Sequence, residues 1–191
     1  MKKIYFVIAA ILLIFMVGCT NNASKKNTST TDSVPVKVID TFALMQKAKE
    51  DMLHLPKPYH EKEDAQAKLT ELIQLAKAQN KNVFVQAGGN WCIWCLRFTD
   101  FLNKQPQLKQ IIENNYLYYH LNYSKENKND AVFEKYAPHG RDYGFPFFFI
   151  INGNGDVLDI ISSETVASDN EDVYYDFTKT KQLLLKYAPK K

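Results

Sequence analysis

Cysteine is scarce: the 191 residues hold only three. Three thiols cannot close the several bridges of a disulfide-stapled scaffold, nor fill a four-cysteine zinc site within one chain. An excess of one charge is missing too. Lys plus Arg number 24 against 21 Asp plus Glu, a formal +3, too small and too scattered for a nucleic-acid footprint. No apolar run reaches the ~20 residues of a membrane-spanning helix. His54, His60, His120 and His139 are scattered, with no pair at ligand spacing, and no internal repeat is visible. What remains is a chain 46% hydrophobic and 13% aromatic, enough for one ordinary core and too little for two comfortable domains.

The chain begins Met1-Lys2-Lys3, runs apolar over residues 4–17, and reaches Gly18-Cys19. A charged start, a short apolar core and a small residue before a break is the anatomy of an export signal. Residues 20–33 are rich in Asn, Ser, Thr and Lys, a composition that builds no core and is expected to be a flexible tether. Met16-Val17-Gly18-Cys19 resembles the lipobox of bacterial lipoproteins, with Met16 where Leu is usual. The resemblance implies cleavage before Cys19 and lipid on its sulfur; an uncleaved anchor, or a secreted protein with a free cysteine, are the competing readings. The expected organisation is a signal over 1–18, a tether over 19–36 and one domain over 37–191. Loss of Lys2 and Lys3 with the signal takes the formal charge from +3 to +1, so attachment would depend on lipid rather than on a basic surface. The other two cysteines, Cys92 and Cys95, would then lie outside the cytoplasm, where disulfides persist.

Residues 34–55 carry scattered apolar positions that suggest a strand or turn leading into a short helix, which Pro56 and Pro58 interrupt. Residues 63–79 place Ala65, Leu69, Leu72, Ile73 and Ala76 on one face at helical spacing. Val83-Phe84-Val85 is a short β-rich run. A helix is expected from Cys95 to a stop before Pro106, then a further turn or two over 108–114. Over 116–123, Leu117, Tyr119 and Leu121 alternate with Tyr118, His120 and Asn122, a strand pattern. Residues 130–137 read as a short helix and 145–151 as a strand buried on both faces. Asn152-Gly153-Asn154-Gly155 signals a hairpin turn, 156–161 the returning strand, and 175–187 a closing helix. The order implies an α/β fold with a mixed central sheet covered by helices on both faces.

Between a predicted strand and a predicted helix stands Cys92-Ile93-Trp94-Cys95. If the first cysteine opens the helix, unpaired backbone N–H groups and the helix dipole stabilise its thiolate, the form that attacks a disulfide. Cys95 lies about one helical turn on, close enough to attack the mixed disulfide and release the product. Cys92 is therefore the expected nucleophile and Cys95 the buried resolving thiol. Half of a zinc site is disfavoured by the absence of partners, and haem attachment by Leu96 where that motif requires His. A structural disulfide is the other open reading, although so tight a loop removes little chain entropy.

At these residues the chain resembles the thioredoxin superfamily. Trp91-Cys92-x-x-Cys95 after a β-run is similar to its active-site motif, and Phe145-Pro146 before a buried strand to its cis-proline segment. The likeness spans roughly 83–161, and the Trp-Cys-x-Trp-Cys form resembles extracytoplasmic members. It implies a thioredoxin-like fold with an N-terminal helical extension, Cys92 and Cys95 as the redox-active disulfide, and Trp91 shielding the site. It further implies a cis Pro146 beside the cysteines, and a Phe145 backbone that pairs with an extended substrate segment. Ile93 and Trp94 replace the dipeptide of thioredoxin itself, so its potential does not carry over. Gln86 stands where thioredoxins place a buried Asp, six residues before Cys92, and cannot accept the proton of the resolving thiol. His120 falls where a lysine is typical; it reads either as an exposed strand histidine or as a group tuning the thiols. Arg141, in His139-Gly140-Arg141-Asp142, reads as a solvated loop charge or as a contact for a partner's carboxylate. The aromatic residues 116–119 and 147–149 read as sheet packing.

The resulting expectation is a membrane-tethered, extracytoplasmic thiol–disulfide oxidoreductase. The resemblance favours a reductase of exported proteins that carry cysteine pairs, recharged by an upstream redox partner, with no bound cofactor or metal and no nucleic acid. The alternatives are a non-catalytic lipoprotein using the same fold as a protein-binding module with a structural disulfide, and a metallochaperone using the two thiolates.

Overall fold

Two helices precede the first strand. The computed structural model describes residues 41–170 and 173–190; the expected signal, Cys19 and the tether lie outside them. Helix α1 (Thr41–His54) stops just before Pro56, and helix α2 (Ala65–Gln79) starts one residue after Asp64. The Asp64 carboxylate accepts the N–H of Ala67 at 3.0 Å, a cap whose loss typically costs about 1 kcal/mol. That cap places the helix start at 65 rather than 63. Asn80 ends it in the left-handed region at φ 51°, which Asn tolerates better than most residues.

The chain then forms β1 (Asn82–Gly88), α3 (Ile93–Lys104), α4 (Pro106–Asn115), β2 (Tyr116–Asn122), α5 (Asp130–Tyr136), β3 (Phe147–Ile151), β4 (Val157–Ser162) and α6 (Phe177–Lys186). Pro106 begins α4 instead of merely stopping α3, because proline suits the first helical position, where no N–H is needed. That position yields ten residues of helix in place of the expected turn or two.

The four strands lie in the order β2-β1-β3-β4, with β1 parallel to β2 and antiparallel to β3, and β3 antiparallel to β4. This is the mixed sheet expected from the element order. On one face Val83, Val85, Leu121, Phe147 and Phe149 pack under Leu69 and Ala76 of α2 and Phe133 of α5. On the other, Phe84, Tyr116, Phe148 and Ile150 pack against Phe98 and Leu102 of α3, Leu108 and Ile112 of α4 and Leu184 of α6. A fully buried Phe contributes about 2–3 kcal/mol by area, so the fully buried phenylalanines within and against the sheet supply a large share of the core. The alternation in β2 suggests one wet face. Instead Tyr118 packs in the second core, His120 is covered by Thr99 of α3, and Asn122 is buried under the loop that follows β2, where it donates to Ser124 and Asn127.

Between β3 and β4 the Asn152 side chain accepts the N–H groups of Asn154 and Asp156, and Gly155 takes φ +91°. The turn residues thus do what their spacing predicts. The pairing of Ala87 with Phe147 has the larger consequence. The chain leaving β1 toward Cys92 and the chain entering β3 from Phe145 meet at the same end of the sheet.

Candidate functional site

Cys92 is the N-cap of α3, with extended φ −93° and ψ 103°. Its N–H is held by the carbonyl of Gly89 at 3.0 Å, and its sulfur accepts the N–H of Cys95 at 3.2 Å. Cys92 and Cys95 form a disulfide with Cα atoms 5.3 Å apart. Cys92 keeps 5% of its surface exposed and Cys95 none. The asymmetry follows from position: the capping residue stands at the helix mouth, whereas one turn on the chain faces the core. Gly88 makes room behind the pair, since a Cβ there would collide with the Cys95 sulfur.

Across from the disulfide, the Phe145 carbonyl oxygen lies 3.6 Å from the Cys92 sulfur, and the Phe145–Pro146 peptide is cis. Two tryptophans flank this opening, Trp91 52% and Trp94 48% exposed. Trp91 donates its indole N–H to the Tyr123 carbonyl at 2.6 Å and sets its ring edge-on to Phe145, which itself stacks on Tyr123. Trp94 meets Tyr174 edge-on, and its carbonyl accepts the Tyr175 hydroxyl at 2.8 Å. Ile93 and Trp91, together with Ala48, Met52 and Leu53 of α1, border a cleft of about 510 Å³. A second cleft of about 450 Å³ runs from Trp94 and Phe145 to Tyr143 and Val173.

Behind Cys95 lies a buried set of polar groups without a formal charge. Gln86 is fully buried; its Nε2 donates to the Tyr59 hydroxyl at 2.5 Å and to the Cys95 carbonyl at 2.9 Å, and its Oε1 accepts the Tyr118 hydroxyl. The Thr99 hydroxyl donates to the same Cys95 carbonyl at 3.2 Å and lies 3.0 Å from Nε2 of His120. Burial first, and secondarily the neighbouring Tyr118, pushes the Tyr59 phenol well above the usual tyrosine value, and burial does the same to Tyr118. His120 is held down at about 4 by burial and secondarily by His60. Tyr59, Tyr118 and His120 are therefore neutral near pH 7. Of the two readings of His120, the exposed strand histidine is excluded: its ring packs at 4.4 Å from Tyr118 and 5.2 Å from Tyr59.

Tyr59 enters from the Pro56-x-Pro58 segment, which carries no sequence signal for burial. It is 3% exposed and clusters with Cys92, Cys95 and Leu96, flanked by Met52 and Leu55. Asn90 fixes it there, accepting the Tyr59 N–H at 3.1 Å and donating to its carbonyl at 2.8 Å. The helix α1 is tied to α3 by Arg97, whose Nε and Nη2 both reach the same Asp51 oxygen at 2.8 and 2.7 Å while its guanidinium lies 4.0 Å from the Tyr174 ring centre. Arg141 is exposed, pairs with the exposed Asp130 at 2.6 Å and lies over the Tyr123 and Phe133 rings. Among the described residues, no three His, Cys, Asp or Glu side chains converge to hold a metal ion, and no helix is long and apolar enough to cross a membrane.

Residues 64–153 match a family model described as thioredoxin-like. Among solved structures, a disulphide isomerase from Xylella fastidiosa Temecula1 superposes with a TM-score of 0.57 at 18% identity, covering 69% of this chain and 97% of that one. The oxidised C-terminal domain of DsbD from Neisseria meningitidis matches at 17% identity with a TM-score of 0.38, covering 65% of this chain and 93% of that one. At 18% identity the first likeness is one of fold. No curated protein matches the sequence significantly.

Proposed function

We propose that this chain, which belongs to the thioredoxin-like superfamily, is a thiol–disulfide oxidoreductase that works outside the cytoplasm as a reductase of exported proteins. The observation that carries the proposal is the Cys92–Cys95 disulfide at the mouth of α3, facing the Phe145 carbonyl. A disulfide placed there is reached from solvent only at its first sulfur, which is the order of events that exchange requires.

In the reducing direction, the Cys92 thiolate attacks one sulfur of the substrate disulfide, that S–S bond breaks, and the second substrate sulfur leaves as a thiolate. Cys95, once deprotonated, attacks the Cys92 sulfur, closes the 92–95 bond and expels the first substrate sulfur. Two electrons and two protons pass from the dithiol to the substrate, so no bound cofactor is needed; an upstream redox partner restores the dithiol. Trp91, Ile93, Trp94 and Phe145–Pro146 would shape the surface on which the substrate segment lies. The proposed organisation keeps a signal over 1–18, a lipid on Cys19, a tether over 19–36 and the catalytic domain over 37–191, held at a bacterial membrane.

The test is insulin reduction by the reduced protein, which Cys92→Ser should abolish; undiminished turnover by that variant would refute the assignment. The burial of both cysteines, 5% and 0% exposed, is what favours the second reading, a binding module with a structural disulfide. In that case the disulfide would resist a glutathione buffer that equilibrates a working pair.

A further inference from the structure

Tyr59 and Cys95 approach each other across a residue with no side chain. A Cβ built on Gly88 would collide with the Cys95 sulfur and would stand 2.8 Å from the Tyr59 hydroxyl. The two groups thus flank one small space that Gly88 leaves open. Nothing in the sequence singles out Tyr59, and Gln86 occupies the position from which a carboxylate would otherwise act on the resolving thiol.

The hydrogen bonds around Tyr59 fix its polarity. Gln86 Nε2 donates to the phenol oxygen at 2.5 Å, and the same amide's oxygen is taken by Tyr118, so Gln86 is held with its N–H toward Tyr59. The phenol is therefore an acceptor from Gln86 and keeps its own proton to give. Among the described residues no acceptor of that proton is seen while the disulfide is closed. A buried O–H without an acceptor is costly, and a sulfur that becomes anionic beside it is the strongest acceptor available.

We propose that Tyr59 donates a hydrogen bond to the sulfur of Cys95 when the disulfide opens, stabilising the Cys95 thiolate that carries out the resolving attack. This inference rests on the oxidoreductase reading and adds to it the group that acts on the second cysteine. Tyr59 keeps its proton throughout, consistent with a phenol pushed upward by burial; the proton of Cys95 leaves with the departing substrate thiol. Gln86 and Asn90 are positioning residues that aim the phenol and hold the segment carrying it.

The experiment compares the full chain with its Tyr59→Phe variant, which keeps the buried ring. Both are reduced and mixed with a peptide disulfide, and mass spectrometry follows the first attack at Cys92 and then resolution of the mixed disulfide across pH. The expected result is an unchanged first attack, a resolving step about tenfold slower near neutral pH, and a pH midpoint for resolution raised by about one pH unit. In glutathione buffers above both pH midpoints, where Cys95 is a thiolate in either protein, the dithiol–disulfide constant should shift toward the disulfide by about tenfold, or ~30 mV. Resolution that matches wild type at every pH would overturn the proposal, as would equal slowing of both steps, which would mark Tyr59 as structural only. A wild-type chain that neither forms a mixed disulfide nor reduces the peptide disulfide would overturn the oxidoreductase reading itself, and this inference with it.

Discussion

Cys95 points its backbone N–H at the sulfur of Cys92, 3.2 Å away. The donor belongs to the main chain, so it survives any change of the Cys95 side chain. Negative charge on Cys92, whether in the free thiolate or as the leaving group during resolution, meets this N–H at the positive end of α3.

Cys95→Ser therefore leaves the first attack intact and removes only the resolving sulfur. Mixed with a peptide disulfide, this variant should accumulate a stable Cys92-linked adduct, seen as a mass increase of one peptide thiol, while turnover falls to background. Rapid release of the peptide from the variant would show that Cys95 does not resolve the intermediate.

Gly88→Ala places a methyl group where the Cys95 sulfur and the Tyr59 hydroxyl already close in. Overpacking of this kind costs about 1–3 kcal/mol, and here the collision falls on the reacting atom. Chemical denaturation should read that loss, and the rate of insulin reduction should drop at least tenfold. A stable, fully active variant would mean that the backbone of β1 yields at its end.

Arg97→Ala should loosen α1. Arg97 is 8% exposed, bonds Asp51 twice and stacks on Tyr174, so truncation removes a charge-assisted bond and a cation–π contact and strands a partly buried carboxylate. With Asp51 a quarter exposed, the loss is discounted to about 2 kcal/mol. Thermal unfolding should register it, and amide exchange should quicken in α1 before it does so in the sheet.

His120 makes the fold acid-sensitive. Its folded value of about 4 lies below the ordinary 6.5, so between those pH values the unfolded chain binds the extra proton and stability falls as pH is lowered. Above 6.5 the contribution is constant. The full loss is on the order of 3 kcal/mol. Urea titrations at pH 7, 5.5 and 4.5 should show the decline, and His120→Asn should flatten it.

How much of this is legible in the sequence differs by residue. The Cys92-x-x-Cys95 spacing, the amphipathic stripe of α2 and the Asn152–Gly155 turn are local features, set by helical period and turn chemistry. Gln86 is recognisable as a departure from the thioredoxin pattern that the sequence resembles, but its role is not, because its partners come from α3, from β2 and from the segment before α2. His120 has the sequence pattern of a half-wet strand, and Thr99 of α3 with the rings of Tyr118 and Tyr59 make it a largely covered, neutral group. Tyr59 and Asn90 give no signal at all, since a tyrosine after two prolines and an asparagine in a turn look like any loop.

Chemistry that depends on neighbours along the chain was therefore determined by the sequence alone: a dithiol one helical turn apart, opening a helix after a strand. The tertiary structure decided what surrounds it. Pairing of Ala87 with Phe147 carries the Phe145 carbonyl to Cys92, a contact across 53 residues. Packing of the segment after α1 carries Tyr59 to the far side of Cys95, where Asn90, 31 residues away in the chain, holds it. The physical reason is that hydrogen-bond spacing along a helix or turn is dictated within a few residues, whereas the environment of a buried sulfur is set by whichever distant elements the core brings against it.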